Sequence, residues 1–339
     1  MLGIVYLLAV LCCMSGVIAA QSGRRLSADN AIEVKARLPP GIRDMAGNLI
    51  EQISWDARTA YQRHILYGKE SALLRCTANK DHFYNEWHAY VTLNSNKGQD
   101  KTLSLSASSH FGRILHVMPW NVDHGCIIVS HDRDATPVKQ CLDKVAPADK
   151  SKYLSAIAYQ LWEGLVYIHS KNIPHGSLTL DNVFTVCGAT ARTLRLSITN
   201  FARSYINFNV PDSEVDHTDY SPPESYVPQA VHDFRKHDSW KLGVVLFHLI
   251  TDSFPFGYNH AGGRSTKWRP ESRVRLMQQA YNNRMVVDMD AAMARGLVKI
   301  DNSYMRDIIF NLLVCHPQLR HLPTQMQRYM APLRWVASN

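Results

Sequence analysis

Between positions 49 and 130 apolar residues come in short runs broken by polar turns: NLIEQISWDA, AYQRHILYG, SALLRCT, TLSLSAS and GRILHVMPW. Runs of this length predict strands, with one helix around Phe83 to Leu93, and so a small, mostly β unit. Beyond Pro137 the period changes. Ile157, Leu161, Gly164, Leu165 and Ile168 recur at three- and four-residue spacing, which predicts one apolar helix stripe ending near His169 and Ser170. The run SWKLGVVLFHLI is apolar on nearly every side but only about 12 residues long, which fits a buried core helix and not a membrane span. The tail MRDIIFNLLVCHPQLRHLPTQMQRYM predicts a helix, a proline break and a shorter helix. A β-rich half followed by a helical half, with no internal repeat, implies an α+β fold in two lobes.

The N-terminal end changes this picture. Residues 1–20 carry no charged side chain and finish in small residues, as in a secretory signal peptide cleaved near Ala19 or Ala20, with an uncleaved signal anchor as the alternative. Residues 21–47 are polar and contain a turn at Pro39, Pro40 and Gly41, which suggests a leader that packs late or loosely. No transmembrane span is expected once the signal is removed. The formal net charge of +8 suits an anionic membrane or glycan surface, but without a Lys/Arg run it reads as a solvated basic surface, and no nucleic acid is expected. Cys76, Cys126, Cys141, Cys187 and Cys315 lie outside the signal segment and allow at most two disulfides and one free thiol, with at most partial disulfide use expected and the pairing open. Neither they nor the scattered histidines, His124 and His131 among them, have metal-site spacing, so no metal is expected. The chain has no Asn-x-Ser/Thr acceptor.

Candidate chemistry concentrates in the helical half. In order come HGSLTLDN (175–182), Asn200-Phe201-Ala202, Pro222-Pro223-Glu224, Asp238-x-Trp240-x-x-Gly243 and HPQLR ending at Arg320. Their order and spacing resemble the C-terminal lobe of protein kinases, well over about 137–335 and loosely over 49–130. The resemblance implies a bilobal kinase-like domain over 48–335, with an N-lobe of about 48–120 and a C-lobe of about 121–335. It implies scaffold roles for His175, which braces the catalytic loop, and for Asp238, which holds that loop's backbone. Trp240 and Gly243 share the start of the central buried helix with Asp238, and Glu224 pairs with Arg320.

The catalytic parts depart from the family. Its loop reads H-R-D-L-x-x-x-N, in which the Asp takes the substrate proton and the Asn helps hold magnesium. Here Gly176 and Ser177 replace the Arg and Asp, Thr179 stands where many kinases carry a Lys, and Asn182 is kept. A neutral hydroxyl cannot serve as general base, and no partnered base makes Ser177 a nucleophile. Asn200 replaces the metal-binding Asp of D-F-G, and an amide brings no negative charge to magnesium. The segment SWDARTAYQRHILYG, in the place of the Gly-rich phosphate loop, has no glycine before Gly68. Arg75 falls at the position of the strand Lys, with Glu86 as its helix partner; these two and Asn182 are the weak candidates for cofactor contact.

These features resemble the rhoptry-kinase-like family secreted by apicomplexan parasites, in its glycine-loop-less branch. The expectation is a secreted, catalytically inactive pseudokinase with no cofactor. It would act through a protein partner in a parasitophorous vacuole or cyst wall. Two alternatives stand beside it: an atypical transferase that recruits another carboxylate, such as Asp181 or Asp132, and a module that senses ATP without turnover.

Overall fold

The computed structural model describes residues 32–95, 105–205, 217–228, 232–255, 270–283 and 303–338, with 230, 258–259 and 266–267. The expected signal peptide and the first part of the leader lie outside the described residues. The first described strand, β1 (Glu33–Arg37), runs antiparallel to β3 (Gln52–Asp56), from Glu33 opposite Asp56 to Arg37 opposite Gln52. Both alternate exposed and buried residues, so Val34, Ala36, Ile53 and Trp55 face one core. The leader's second half is therefore a packed strand, and the lobe starts near residue 33 instead of 48, because Val34 and Ala36 need this core.

A five-stranded antiparallel sheet adjoins it in the order β2-β4-β5-β7-β6. Its strands are β2 (Ile42–Arg43), β4 (Tyr61–Tyr67), β5 (Glu70–Thr77), β6 (Ile114–Met118) and β7 (Gly125–Ser130). Strand β5 is buried on both faces: Ala72, Leu74 and Cys76 join the core of β1 and β3, and Leu73 joins the larger core shared with the C-lobe. Period-2 alternation puts Arg75 on the face of Leu73, toward helix α1 (Lys80–Ser95). Phe83, Glu86, Tyr90 and Leu93 form the buried stripe of that helix.

Two boundaries differ from the sequence reading. Strand β7 pairs with both β5 and β6, so the N-lobe runs to Ser130 and not to about 120. In TLSLSAS, residues 105–108 form a helical turn, α2 (Leu105–Ser108), and 102–104 lie outside the described residues. Alternation of small and apolar residues there does not distinguish a strand from a capped turn.

The C-lobe is helical. Helix α3 (Val138–Lys144) leads into α4 (Lys150–Ser170), which packs on α5 (Phe234–Thr251). Helix α5 is buried nearly all round, as its continuous apolar pattern predicts. Helices α6 (Pro270–Asn282), α7 (Ser303–Leu312) and α8 (Gln327–Ser338) complete the lobe. Helix α8 is the longer of the last two, where a shorter one was expected. A small antiparallel sheet, β8 (Ala135–Pro137), β9 (Val183–Val186) and β10 (Arg195–Ile198), lies beside the segment that carries the catalytic-loop motif. Cys76 pairs with Cys126 across β5 and β7 and Cys141 with Cys187, so both possible bridges form where at most partial use was expected, because the fold brings these distant pairs together, and Cys315 is a buried free thiol. Among the described residues no helix is long and apolar enough to cross a membrane.

Candidate functional site

The loop 175–182 is fixed from below by α5. Asp238, in the first turns of that helix, accepts from the backbone N–H of His175 (2.8 Å) and Gly176 (2.9 Å) and from His169 Nε2 (2.8 Å). Burial raises the pKa of Asp238, but the His169 hydrogen bond and the backbone donors reverse this and leave it below the ordinary value, so the carboxylate stays charged. Lys241, one turn further on, donates to the Gly176 carbonyl at 2.6 Å. His175 receives the Ser177 N–H on Nδ1 (3.2 Å), so Nε2 carries the proton and donates to the Thr199 carbonyl (3.1 Å). Burial pushes its pKa down to about 4. His175 is thus a neutral brace.

Gly176 has φ of +71°, and a Cβ at this position would collide with the Arg203 carbonyl oxygen. The family's Arg cannot occupy this backbone without moving it. Asn200 has φ of +70°, in the left-handed region that Asn tolerates better than most residues.

The four polar positions singled out from the sequence meet across the lobes. Arg75 Nε donates to Glu86 Oε1 at 2.7 Å, and both side chains are about 5% exposed. Its Nη1 donates to Gln62, and its Nη2 to Asn200 Oδ1 at 2.7 Å. Asn200 Nδ2 donates to Asn182 Oδ1 (3.1 Å), and Asn182 Nδ2 donates to the Ser177 carbonyl (2.7 Å) and Thr179 Oγ1 (3.0 Å). One hydrogen-bonded chain therefore runs from Glu86 through Arg75, Asn200 and Asn182 to the catalytic-loop backbone. Phe201, next in sequence, is fully buried against Tyr90 (5.2 Å between centres), Phe111 (5.8 Å) and His175 (4.9 Å).

Above this chain lies a cavity of about 450 Å³ lined by Arg58, Thr59, His82, Ser177, Asn200 and Arg203, among others. Residues 57–60, joining β3 to β4, cover it where a Gly-rich loop would lie; this turn is Ala-Arg-Thr-Ala. The donor set does not fit a magnesium nucleotide. Both amide oxygens that could ligate a cation already accept hydrogen bonds, no carboxylate among the described residues lines the cavity, and the Arg75 guanidinium stands 2.7 Å from the Asn200 oxygen. A positive charge so close opposes a second cation.

The inter-lobe cleft holds a feature that sequence reasoning missed. His64 of β4, His131 after β7 and Phe184 of β9 bring their rings together at 4.8, 5.0 and 5.5 Å between centres. Burial pushes His131 down to about 4 and lowers His64. Only the meeting of three distant segments creates this cluster, and no spacing in the sequence signals it. Of the two acids considered as relocated catalysts, Asp181 is solvent-exposed, and Asp132 faces Arg195 at 3.5 Å beside a different cavity. Neither lines the cavity at Ser177 and Asn200. Among the described residues, no three His, Cys, Asp or Glu side chains are grouped to hold a metal.

The scaffold pair is closed. Arg320 donates from Nη1 and Nη2 to the two oxygens of Glu224 at 2.7 and 2.9 Å, with both side chains fully buried. Its remaining donors reach the carbonyls of Val314, Cys315 and Lys236, and its guanidinium lies 4.9 Å from the centre of the Trp240 ring. Gly243 lies against Leu312 and Leu313 so closely that a side chain would displace them.

Comparison with known proteins agrees with this layout. The protein kinase domain family matches residues 126–330. An abscisic acid-inducible protein kinase of Triticum aestivum is 26% identical over 168 residues, 49% of each chain. The serine/threonine-protein kinase chk-2 of Caenorhabditis elegans is 29% identical over 99 residues, 29% of this chain and 20% of that one. The chain thus spans half or less of the length of these relatives. The solved structure of Rad53 in complex with AMP-PNP superposes with a TM-score of 0.53 at 14% identity, covering 82% of this chain and 62% of that one, a likeness of fold. With the β-rich and helical lobes, the Asp238-anchored loop and the Glu224–Arg320 pair, the match over more than half its length places this chain in the protein kinase domain family.

Proposed function

We propose that this kinase-fold protein is a pseudokinase, a domain that transfers no phosphoryl group and acts through its surfaces as a scaffold or allosteric partner of another protein. One observation carries the reading. At the two positions where the family keeps acids, Ser177 and Asn200 stand, and Asn200 is tied to Arg75 and Asn182. General base catalysis supplies about 10²–10⁴ in rate, and a neutral hydroxyl does not supply it. The metal-binding acid is lost independently, so two separate functions are gone. The scaffold around them, Asp238, Lys241, Glu224 and Arg320, is fully bonded, as expected of a domain kept for its shape.

The test is a phosphotransfer assay on the purified chain with magnesium or manganese, paired with melting in millimolar ATP. The expected result is no label incorporation above a blank and no shift in melting temperature. A ligand stabilises by RT ln(1 + [L]/Kd), so a rise equivalent to about 1 kcal/mol or more would replace this reading with nucleotide sensing. Metal-dependent transfer would replace it with an atypical kinase.

We further propose that the chain is secreted and belongs to the rhoptry-kinase-like proteins of apicomplexan parasites. Its place there is the glycine-loop-less branch, which includes a bradyzoite pseudokinase of the cyst wall. Support comes from the uncharged N-terminal segment, the glycine-free turn at 57–60 and two disulfides, which persist in oxidising compartments. Expression with residues 1–20 intact tests the secretion: the expected product in the medium begins near residue 20, and retention of the intact chain in the cell rejects it.

A further inference from the structure

A larger cavity, about 660 Å³, opens away from Ser177 and Asn200, and the two cavities share no lining residue. Its walls come from the end of β7 and the following linker, from α4, from the segment 191–197 and from Arg334 of α8. The volume is in the range that holds a small ligand.

Its charges are unevenly used. Three acids line it, and each already faces a basic side chain: Glu70 accepts from Arg113 (2.9 and 3.1 Å), Glu163 lies 3.4 Å from His110, and Asp132 lies 3.5 Å from Arg195. Arg133 and Arg192 line the same cavity with no ion-pair or hydrogen-bond partner among the described residues. Arg334 lies over the Tyr159 ring, 6.0 Å from its centre. A second observation is independent of the arginines. Ser71 and His131 both line the cavity and are neighbours, the His131 N–H donating to the Ser71 carbonyl at 3.0 Å. Among the described residues, Ser71 Oγ and His131 Nε2 are buried with no hydrogen-bond partner. Buried polar atoms are ordinarily satisfied, so two orphans beside one cavity point to a ligand or waters that would complete them.

We propose that this cavity binds a small polyanion, a sugar or cyclitol ring carrying several phosphate or sulfate esters, held by Arg133 and Arg192 with Arg334 at the rim. Arginine suits such groups because its planar fork donates two parallel hydrogen bonds to an oxyanion. The ring of the ligand fits against Tyr159, and a remaining hydroxyl or a bridging water completes the polar wall at Ser71 and His131. This site is separate from the degenerate catalytic cleft, and its existence does not depend on whether the chain is catalytically dead.

The test is calorimetric titration of the full chain with inositol hexakisphosphate and, in a second arm, with sucrose octasulfate, which distinguishes a phosphorylated from a sulfated source. The expected result is binding of at least one probe at one site per chain, weakening as salt is raised. The double variant Arg133→Glu/Arg192→Glu weakens that binding at least tenfold, and Arg133→Gln/Arg192→Gln gives a smaller loss with the charge merely removed. Both arginines are exposed, so melting temperatures should match the wild type. The control Arg58→Glu, at the other cavity, leaves the affinity unchanged. The proposal is overturned if neither probe binds at millimolar concentration, if binding has no defined stoichiometry, or if Arg58→Glu weakens it as much as the double variant.

Discussion

Gly176 shows how a single position can constrain a loop. Its left-handed backbone and the Arg203 carbonyl beside it leave no room for a side chain. Gly176→Ala should cost about 1–2 kcal/mol from the backbone conformation alone, and more from the collision. Urea denaturation checks this, and an unchanged midpoint would mean that the loop has another low-energy path. The buried histidines give a second expectation at this scale. Burial pushes His131 and His175 each down to about 4, and His237 lies well below its ordinary value for the same reason. The unfolded chain takes up these protons near pH 6.5, whereas folded His131 and His175 refuse them until about pH 4. Stability is therefore fully present above pH 6.5 and is lost as pH falls toward 4, by about 2 kcal/mol at pH 5 for each of His131 and His175. Denaturation midpoints measured from pH 7.5 to 5 should fall steadily, and His131→Phe should flatten the slope.

Between elements, the strongest ties are ionic and covalent. The 3₁₀ segment Pro223–Tyr226 is held to the stretch before the last helix by Glu224 and Arg320, which are 96 residues apart and both fully buried. Glu224→Ala or Arg320→Ala strands one buried charge and should destabilise by about 3–5 kcal/mol. Wild-type stability in both would refute the scaffold role. The disulfide Cys76–Cys126 closes a loop of 50 residues between neighbouring strands, and Cys141–Cys187 one of 46. On the chain-entropy account each contributes about 4 kcal/mol. A reductant should therefore lower the melting temperature of the wild type. The shift should shrink in Cys76→Ala/Cys126→Ala, which has lost one bridge already; equal melting with and without reductant would show that the bridges carry no stability.

At the scale of the whole molecule, the pseudokinase reading proposed above rests on several parts of the cleft and not on one residue. Restoring both acids, Ser177→Asp with Asn200→Asp, should give no phosphotransfer. A carboxylate at position 200 would fall within reach of Arg75, now 2.7 Å from the amide oxygen there, and be neutralised by it before any magnesium arrived. The turn at 57–60 would still lack the glycines that let backbone N–H groups approach phosphates. Phosphoryl transfer depends on positioning and charge stabilisation together, and two substitutions supply neither in full. Turnover by the double variant, absent from wild type, would show instead that the pocket had kept a nucleotide site.

The sequence by itself determined the two-lobed α+β plan, because periodicity is written locally. The stripe ending at His169 and Ser170 and the all-round apolar run of α5 each needed only their own residues. Residue chemistry also read directly: Ser177 and Asn200 cannot carry the charge of an Asp in any fold. Other features needed the tertiary structure, since they join segments far apart in the chain. Strand β1 looked like a loose leader because its alternating Val34 and Ala36 gain a meaning only opposite Ile53 and Trp55. Strand β7 went unassigned because its place between β5 and β6 is a matter of pairing, not pattern. The cysteine pairs stayed open for the same reason. Arg75 and Asn200, 125 residues apart, could be named from motifs, but that they bond to each other, and so occupy the oxygen a metal would need, is decided by the closing of the two lobes. The ring cluster of His64, His131 and Phe184 and the arginine-lined cavity had no linear trace at all, because burial and electrostatic environment are properties of neighbours in space.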